Sequence, residues 1–183
     1  MKKIIALTAL VIAGYASASA QIYKSKKDEV KVSFFSSTPI EDISAVHSTS
    51  TSFIANDSIK FTLANTGFVF PKPLMQEHFN ENYMESPKYP KSTFRGKINE
   101  KTDLSKDGVY KVTCTGVMYM HGVEKVITIP GTFTVKGGVV NLVASFKAKL
   151  DDYKIARPKV VMEKIADEID VKINANYEAY KRP

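Results

Sequence analysis

The chain has 183 residues, with 26 lysines and arginines, 19 acidic residues and one cysteine. This length suits one domain with a single sizeable core, and a lone cysteine excludes an intrachain disulfide. The basic residues are scattered along the chain, which gives little support to a nucleic-acid-binding protein.

The first twenty residues have the pattern of a signal peptide. Lys2 and Lys3 form a basic start, an apolar stretch runs from Ile4 to Ala13, and small residues end at Ala20. The apolar stretch is too short to span a bilayer, which takes about 20 residues. We therefore expect cleavage after Ala20 and a soluble protein of residues 21–183 in the periplasm or outside the cell.

The charge of the expected mature chain is moderately positive. Removing the two leader lysines leaves 24 basic (26 minus 2) against 19 acidic residues, a net charge of +5. An exported protein rarely meets nucleic acid, so we expect no such partner. A transient contact with an anionic membrane surface fits the charge better, and an oligomer is compatible with the sequence.

The first half of the expected mature chain mixes strand patterns with polar stretches. Residues 21–28 are polar and predict a loose lead-in. Apolar and polar side chains alternate over residues 30–34 and 59–63, as in strands with one buried face. Residues 40–46 predict a turn or a short strand, and residues 48–52 predict a polar loop.

Two turn signals divide this half further. Asn56-Asp57 follows the short extended piece Phe53-Ile54 and predicts a hairpin turn. Asn65 and Gly67 fall on the apolar side of the next strand, which indicates a bulge or a sharp bend.

A short amphipathic helix is predicted from Leu74 to Ser86. Pro73 suits its first turn, and Ser86-Pro87 ends it. One face carries apolar residues four apart, and the opposite face carries three acids that we interpret as solvated: Met75, Phe79 and Tyr83, and Glu77, Glu81 and Glu85. The helix is expected to form a lid between two strands.

The second half of the chain predicts long strands. Alternation is clear over residues 93–98, 110–120, 127–134, 140–150 and 169–177. Turn signals separate the strands, a loop is expected over residues 151–158, and residues 159–167 could hold a turn of helix. About eight antiparallel strands with little helix indicate an all-β sandwich or barrel, and periodicity alone does not choose between them.

Four segments resemble the YceI-like family in the form found in secreted bacterial proteins. They are LMQEHFNENYMES (residues 74–86), KYPKSTFRGKI (88–98), HGVEKVITIPGTF (121–133) and DYKIARPK (152–159). The resemblance implies one domain over residues 21–183, folded as an extended antiparallel β-barrel of about eight strands, lipocalin-like, with a short helical lid. It also implies a hydrophobic lumen that holds long-chain lipids such as polyisoprenoids, with no catalytic residues.

Large apolar side chains on the predicted inner faces are the candidate ligand-binding residues. Flexible methionines among them suit a cavity that adapts to a chain-like guest, although an ordinary packed core would use the same residues. The candidates are Phe61, Phe68, Phe70, Leu74, Met75, Phe79, Tyr83, Phe94, Met118, Met120, Phe133 and Phe146.

The sequence gives little support to catalysis, a cofactor or a metal. His78-x-x-Glu81 is followed by Asn82 where an inverted zinc-protease pattern needs a second histidine. His47 and His121 lie in a polar loop and a tight turn, without ligand spacing. Cys114 alternates with apolar residues and is interpreted as a core residue.

Three functional hypotheses follow. The first is an exported carrier that sequesters a polyisoprenoid, a quinone-like molecule or a fatty-acid derivative in the barrel lumen. The second is an enzyme acting on such a lipid through polar groups at the barrel mouth, namely His78, Glu81 and Tyr83. The third is a structural barrel with a filled core.

Overall fold

A computed structural model of the protein describes residues 21–157 and 163–180. The predicted signal peptide lies outside the described residues, and so does much of the helical turn predicted over residues 159–167.

Strands make up most of the described chain. They are β1 (Ile22–Ser37), β2 (Asp42–His47), β3 (Thr51–Ala55), β4 (Ser58–Ala64), β5 (Phe68–Val69), β6 (Lys91–Ile98), β7 (Gly108–Met120), β8 (Val123–Lys136), β9 (Val139–Lys149) and β10 (Glu168–Tyr180). Helix α1 (Pro73–His78) continues into a π-helical turn, Phe79–Tyr83. Short 3-10 turns lie at Asn65–Gly67, where a bend was predicted, and at Leu150–Tyr153.

The strands close into an antiparallel barrel. Each strand from β6 to β10 pairs with the next, and β10 pairs with β1. Along its other edge, β1 pairs with β3 near its N-terminal end and with β2 near its C-terminal end. The short β5 follows β4 in the chain and pairs with β2. The wall is therefore eight strands around, which confirms the predicted barrel with a short helical lid.

The predicted loose lead-in is wrong. Ile22 to Ser25 form the first part of β1, paired with β10 on one side and with β3 on the other. Tyr23 and Ser25 are buried, and Asp28 has a positive φ of 59°, where the register between β1 and β10 shifts. The bulge interrupts the period-two pattern, which is why alternation did not reveal this part of the strand.

The predicted polar loop over residues 48–52 is also partly wrong, because β3 begins at Thr51. Ser52 is fully buried, its backbone N–H donates to Ser25 Oγ (3.0 Å), and its hydroxyl lies 2.7 Å from the Tyr177 hydroxyl. Hydrogen bonds that link residues of three strands, β1, β3 and β10, thus satisfy the polar groups buried at this position.

His47 forms the centre of a second buried polar group. Its Nε2–H donates to the Ala64 carbonyl (2.9 Å), and its Nδ1 accepts from the Thr49 N–H (3.3 Å) and lies 3.0 Å from Ser50 Oγ. A Cβ on Gly67 would overlap the imidazole, so glycine is required for this close approach. The neutral ring satisfies all of these bonds.

We expect His47 to make the fold sensitive to mild acid. Burial lowers the pKa of His47, against a smaller raising effect of its bond to the Ala64 carbonyl. As the pH falls below about 6.5, His47 becomes protonated in the unfolded chain but stays neutral in the folded chain, so the free energy of unfolding falls.

Denaturant unfolding at a series of pH values should show that the free energy of unfolding falls more steeply with acid for the wild type than for His47→Gln. The matched variant of the exposed His78, His78→Gln, should keep the wild-type slope, and identical slopes for all three proteins would contradict this assignment.

Candidate functional site

The barrel encloses a cavity of about 520 Å³. This volume is within the range of about 300–1,000 Å³ that is usual for small-molecule sites. The wall is formed by inward-facing residues of β1, β4 and β6 to β10, and the helical segment covers one end. Most of the lining side chains are aliphatic or aromatic.

Small residues on the inner wall leave room for this cavity. Gly96 on β6 faces Gly116 on β7, and a Cβ on Gly96 would lie 2.6 Å from both the Phe94 ring and Cys114 Sγ. The Phe94 ring therefore lies over Gly96, against the barrel wall. Gly131 on β8 pairs with Ala144 on β9, and these two small residues form a second part of the wall that projects little into the cavity.

Four phenylalanine rings close the cavity under the lid. Phe79 on the π-helical turn stacks on Phe34 of β1, with ring centroids 5.6 Å apart. It also contacts the rings of Phe68 and Phe70, at centroid distances of 5.4 and 5.1 Å. Such tilted and edge-on ring pairs contribute stability beyond that of the apolar area that they bury. The spacing of Phe79 from Met75 and Tyr83 did predict the helix face that turns inward.

A second apolar cluster completes the cover beside the lid. It contains Met84 from the end of the helical segment and residues from the β9–β10 connection and the start of β10: Leu150, Tyr153, Ile155, Ile165 and Ile169. Tyr83, Met118 and Met120 pack against it. The lid and the β9–β10 connection thus close the same end of the barrel.

All twelve predicted ligand-binding residues line the cavity: Phe61, Phe68, Phe70, Leu74, Met75, Phe79, Tyr83, Phe94, Met118, Met120, Phe133 and Phe146. Contact between any one of them and a ligand stays a prediction. Leu74 differs from the others because it is 59% exposed and lies at the rim. The sequence-based set omitted lining residues whose strand patterns were nevertheless visible, among them Val32, Phe34, Leu142 and Ile173.

The buried polar side chains of the lining are occupied by other protein groups. Ser36 Oγ accepts the Ala166 N–H (3.0 Å). Asn65 Oδ1 accepts the Ser92 hydroxyl (2.8 Å), and its Nδ2 donates to the Tyr89 carbonyl (2.6 Å). The cavity interior therefore suits a hydrocarbon chain, because a polar group placed there would lose its hydrogen bonds to water and find few new partners.

Charged and polar lining residues lie at the rim. Lys72, His78 and Lys164 are exposed, and Lys72 Nζ lies 3.1 Å from Glu41 Oε1. A guest with one polar end could keep that end here, in contact with water, while its apolar part occupies the lumen.

Cys114 has the environment of an unreactive thiol. It is 9% exposed, lines the cavity, and lies in the apolar core cluster. Burial, with a smaller effect of Glu100, raises the pKa of Cys114 to about 11, so the thiol is protonated at neutral pH. A protonated thiol is a poor nucleophile.

The interpretation of Glu85 as part of a solvated helix face is wrong. Glu85 follows the helical segment with a positive φ of 43°, and its carboxylate lies 2.8 Å from Nε2 of the buried His121. His121 Nδ1 lies 2.9 Å from the Tyr153 carbonyl oxygen. The positive φ turns Glu85 away from the line of Glu77 and Glu81, which helical spacing could not foresee.

Two further features concern metals and membranes. Over residues 21–157 and 163–180, no three His, Cys, Asp or Glu side chains are grouped so that they could hold a metal ion. None of the helices described in the structure is long and apolar enough to cross a membrane.

Comparison with known proteins gives one family match. A family model for the YceI-like domain matches residues 23–177. Among curated protein sequences, none matches this chain.

Several solved structures have a similar fold. A polyisoprenoid-binding domain from Saccharophagus degradans, implicated in plant cell wall breakdown, has a TM-score of 0.74 at 14% identity, covering 86% of this chain and 98% of that one. Burkholderia cenocepacia BcnA has a TM-score of 0.72 at 17% identity, covering 83% and 98%. The Campylobacter jejuni YceI protein has a TM-score of 0.56 at 20% identity, covering 68% and 73%. At these identities the likeness establishes the fold alone.

Proposed function

The chain belongs to the YceI-like domain family, and from that premise we propose that it is an exported carrier that holds a long-chain amphiphilic lipid in its barrel. The observation that carries the proposal is the cavity of about 520 Å³ with its apolar lining, enclosed by a closed barrel. A barrel with a filled core would have no such space. The ligand classes that fit are a polyisoprenoid, a quinone-like molecule with an isoprenoid tail, or a fatty-acid derivative.

The free energy of transfer favours such a ligand. Each buried CH₂ contributes about 0.8 kcal/mol, so a five-carbon isoprene unit gains up to about 4 kcal/mol on leaving water. Ordering of the chain and loss of translational freedom offset much of this gain. A few units are nevertheless enough for tight binding, and a lipid of this kind needs a carrier because it is nearly insoluble in water.

Two further observations support the ligand class and its orientation. The similar domain from Saccharophagus degradans is described as polyisoprenoid-binding. In this chain, the hydrogen-bonded polar groups within the lumen and the polar rim at Glu41, Lys72 and His78 favour a lipid with its tail inside and its polar end outside.

The carrier role does not require chemistry on the lipid. The thiol of Cys114 is protonated, and Glu81 is exposed on the outer side of the helical segment. Export is inferred from the signal-peptide pattern of residues 1–20, so the mature protein is expected to begin at Gln21.

Titration with a fluorescent polyene fatty acid, followed by displacement with a polyprenol, tests this function. We expect saturable binding of one probe per barrel, competition by the polyprenol, and recovery of the polyprenol chemically unchanged after long incubation. N-terminal sequencing of the exported protein should give Gln21 first. A chemically altered lipid would point to the enzyme hypothesis, and absence of saturable binding would contradict the carrier.

A further inference from the structure

We propose that helix α1 is a hinged flap over the access route to the cavity. The π-helical turn Phe79–Tyr83 is its hinge, and the Lys72–Glu41 ion pair is the clasp that holds it closed. This inference rests on the proposed function, because it assigns a way in and out to the lipid. It follows from the unequal attachment of the two ends of the helical segment.

The C-terminal end of the segment is firmly attached. Met84 and Ser86 are 5% and 2% exposed. The Ser86 N–H donates to the Asn80 carbonyl, and the Ser86 hydroxyl donates to Asn80 Oδ1, both at 2.7 Å. The two bonds hold Ser86 to Asn80 of the π-helical turn, and Met84 attaches this end to the barrel through its buried cluster with Leu150 and Ile155.

His121 provides a further anchor from the β7–β8 turn. It lies on the β7–β8 turn between two acceptors, the Glu85 carboxylate and the Tyr153 carbonyl. Lys88 Nζ lies 3.8 Å from Glu85, and the Tyr89 ring packs edge-on against the imidazole at 4.7 Å. His121 thereby joins the end of the lid to the β9–β10 connection.

The N-terminal end of the segment is only lightly attached. None of the residues of α1, Pro73–His78, is buried. Among the described residues, two polar contacts tie this end to the barrel, the Lys72–Glu41 pair at 3.1 Å and a bond from the Phe70 N–H to Gln76 Oε1 at 3.3 Å, and the partly buried Met75 packs against the core. Glu41, Lys72, Leu74 and His78 also line the rim of the cavity, so this end lies over its opening.

The change from α-helix to π-helix lies between the lightly attached N-terminal end and the firmly attached C-terminal end of the helical segment. The α-helix ends at His78, and the π-helical turn starts at Phe79, whose ring is held in the aromatic cluster. Irregular helical turns of this kind often mark hinges or functional sites. Rotation about this turn would lift Leu74 and Met75 from the rim and leave Phe79 in place.

A charge-reversal series tests the clasp. The readout is the release rate of the methyl ester of a polyene fatty acid, which carries no charge that Lys72 could contact directly. Lys72→Glu places two acids together and should speed release about 1.5- to 5-fold, the range expected when an exposed ion pair is lost. The double variant Glu41→Lys/Lys72→Glu restores an opposite-charge pair and should return the rate to that of the wild type.

The Asp57–Lys97 pair offers a matched control. Its Nζ–Oδ2 distance is 3.0 Å, and it lies at the β3–β4 turn and β6, not among the lining residues. Lys97→Glu should leave the release rate unchanged. A rate for Lys72→Glu equal to that of the wild type, or a charge swap that stays as fast as the single variant, would overturn the clasp.

Hydrogen exchange measures the flap without a ligand. Amides of α1 should exchange faster in Lys72→Glu than in the wild type, while the Met84 and Ser86 amides should keep their protection. Unchanged exchange in α1 would overturn the flap. If the wild type bound no probe at all, the proposed carrier function would fail, and this exchange experiment would still decide whether α1 moves as inferred.

Discussion

Replacing Phe79 with aspartate is expected to lower the affinity for a neutral polyene fatty ester at least about 100-fold. The Phe79 ring contacts Phe34, Phe68 and Phe70 at centroid distances of 5.1 to 5.6 Å and lines the cavity. A carboxylate there would either be desolvated against apolar rings or draw water into the lumen, and burying an unpaired charge costs several kcal/mol. A fluorescence titration measures the loss.

Two variants of the same helical segment serve as controls for Phe79→Asp. Phe79→Leu keeps an apolar side chain and should lose less than about tenfold in affinity. Glu81→Ala changes an exposed residue of the same turn and should bind as the wild type does. If Phe79→Asp fails to fold, Met118→Asp on the inner face of β7 places the same charge elsewhere in the lining. Equal loss from Glu81→Ala and the aspartate variants would show that the lining is wrongly assigned.

A large side chain that fills the lumen is expected to weaken lipid binding without lowering the stability of the fold. Ala144→Phe on the inner face of β9 would project a ring over Gly131 into the cavity. The ring occupies space that the lipid needs, so affinity for a long-chain ester should fall at least about tenfold. Filling an apolar void adds packing contacts, so the melting temperature should stay the same or rise.

Val143→Phe provides the matched control for this experiment, because Val143 lies next in the same strand but is 51% exposed on the outer face. We expect wild-type binding from Val143→Phe, measured by titration, and a similar melting temperature, measured by calorimetry. Undiminished long-chain binding by a folded Ala144→Phe variant would show that the ligand occupies a site other than the lumen.

Much of the barrel could be predicted from alternation alone, because most strands have one apolar and one polar face. β9 illustrates this: Val140, Leu142, Ala144 and Ala148 are buried, and Val139, Val143 and Lys147 are exposed. Closure of the sheet could not be predicted in this way. It depends on the pairing of β10 with β1, a contact between distant parts of the chain that leaves no local pattern.

Buried polar groups explain part of what the sequence interpretation missed. Ser25, Ser52 and Tyr177 form a buried hydrogen-bonded group, and His47 forms another with Ser50 and the Ala64 carbonyl. Where hydrogen bonds stabilise the interior, buried residues are polar and hydropathy marks them as loop. The ion pair of Glu85 with His121 was missed because it joins positions 36 residues apart.

The lining of the candidate site was easier to predict than the empty space that it surrounds. Large apolar residues on inward-facing positions reach the lumen once the barrel closes, so residues such as Phe94 and Phe133 could be named from their strands. Gly131 lies in the lining and has no side chain to fill the lumen, and Gly96 makes room for the Phe94 ring. Alternation placed Gly96 and Gly116 on apolar faces of their strands but did not show the space that glycines leave. An alternation pattern identifies the apolar side chains that face inward, but it does not give the volume that small residues leave unfilled between them.

Native mass spectrometry of the protein purified from its own cells, with extraction of any bound molecule, tests the central claim most directly. We expect a complex of one barrel with one lipid, in which the extracted molecule has a long hydrocarbon chain and a single polar end. The mass of the protein alone, together with no uptake of added polyprenol or fatty ester, would contradict it.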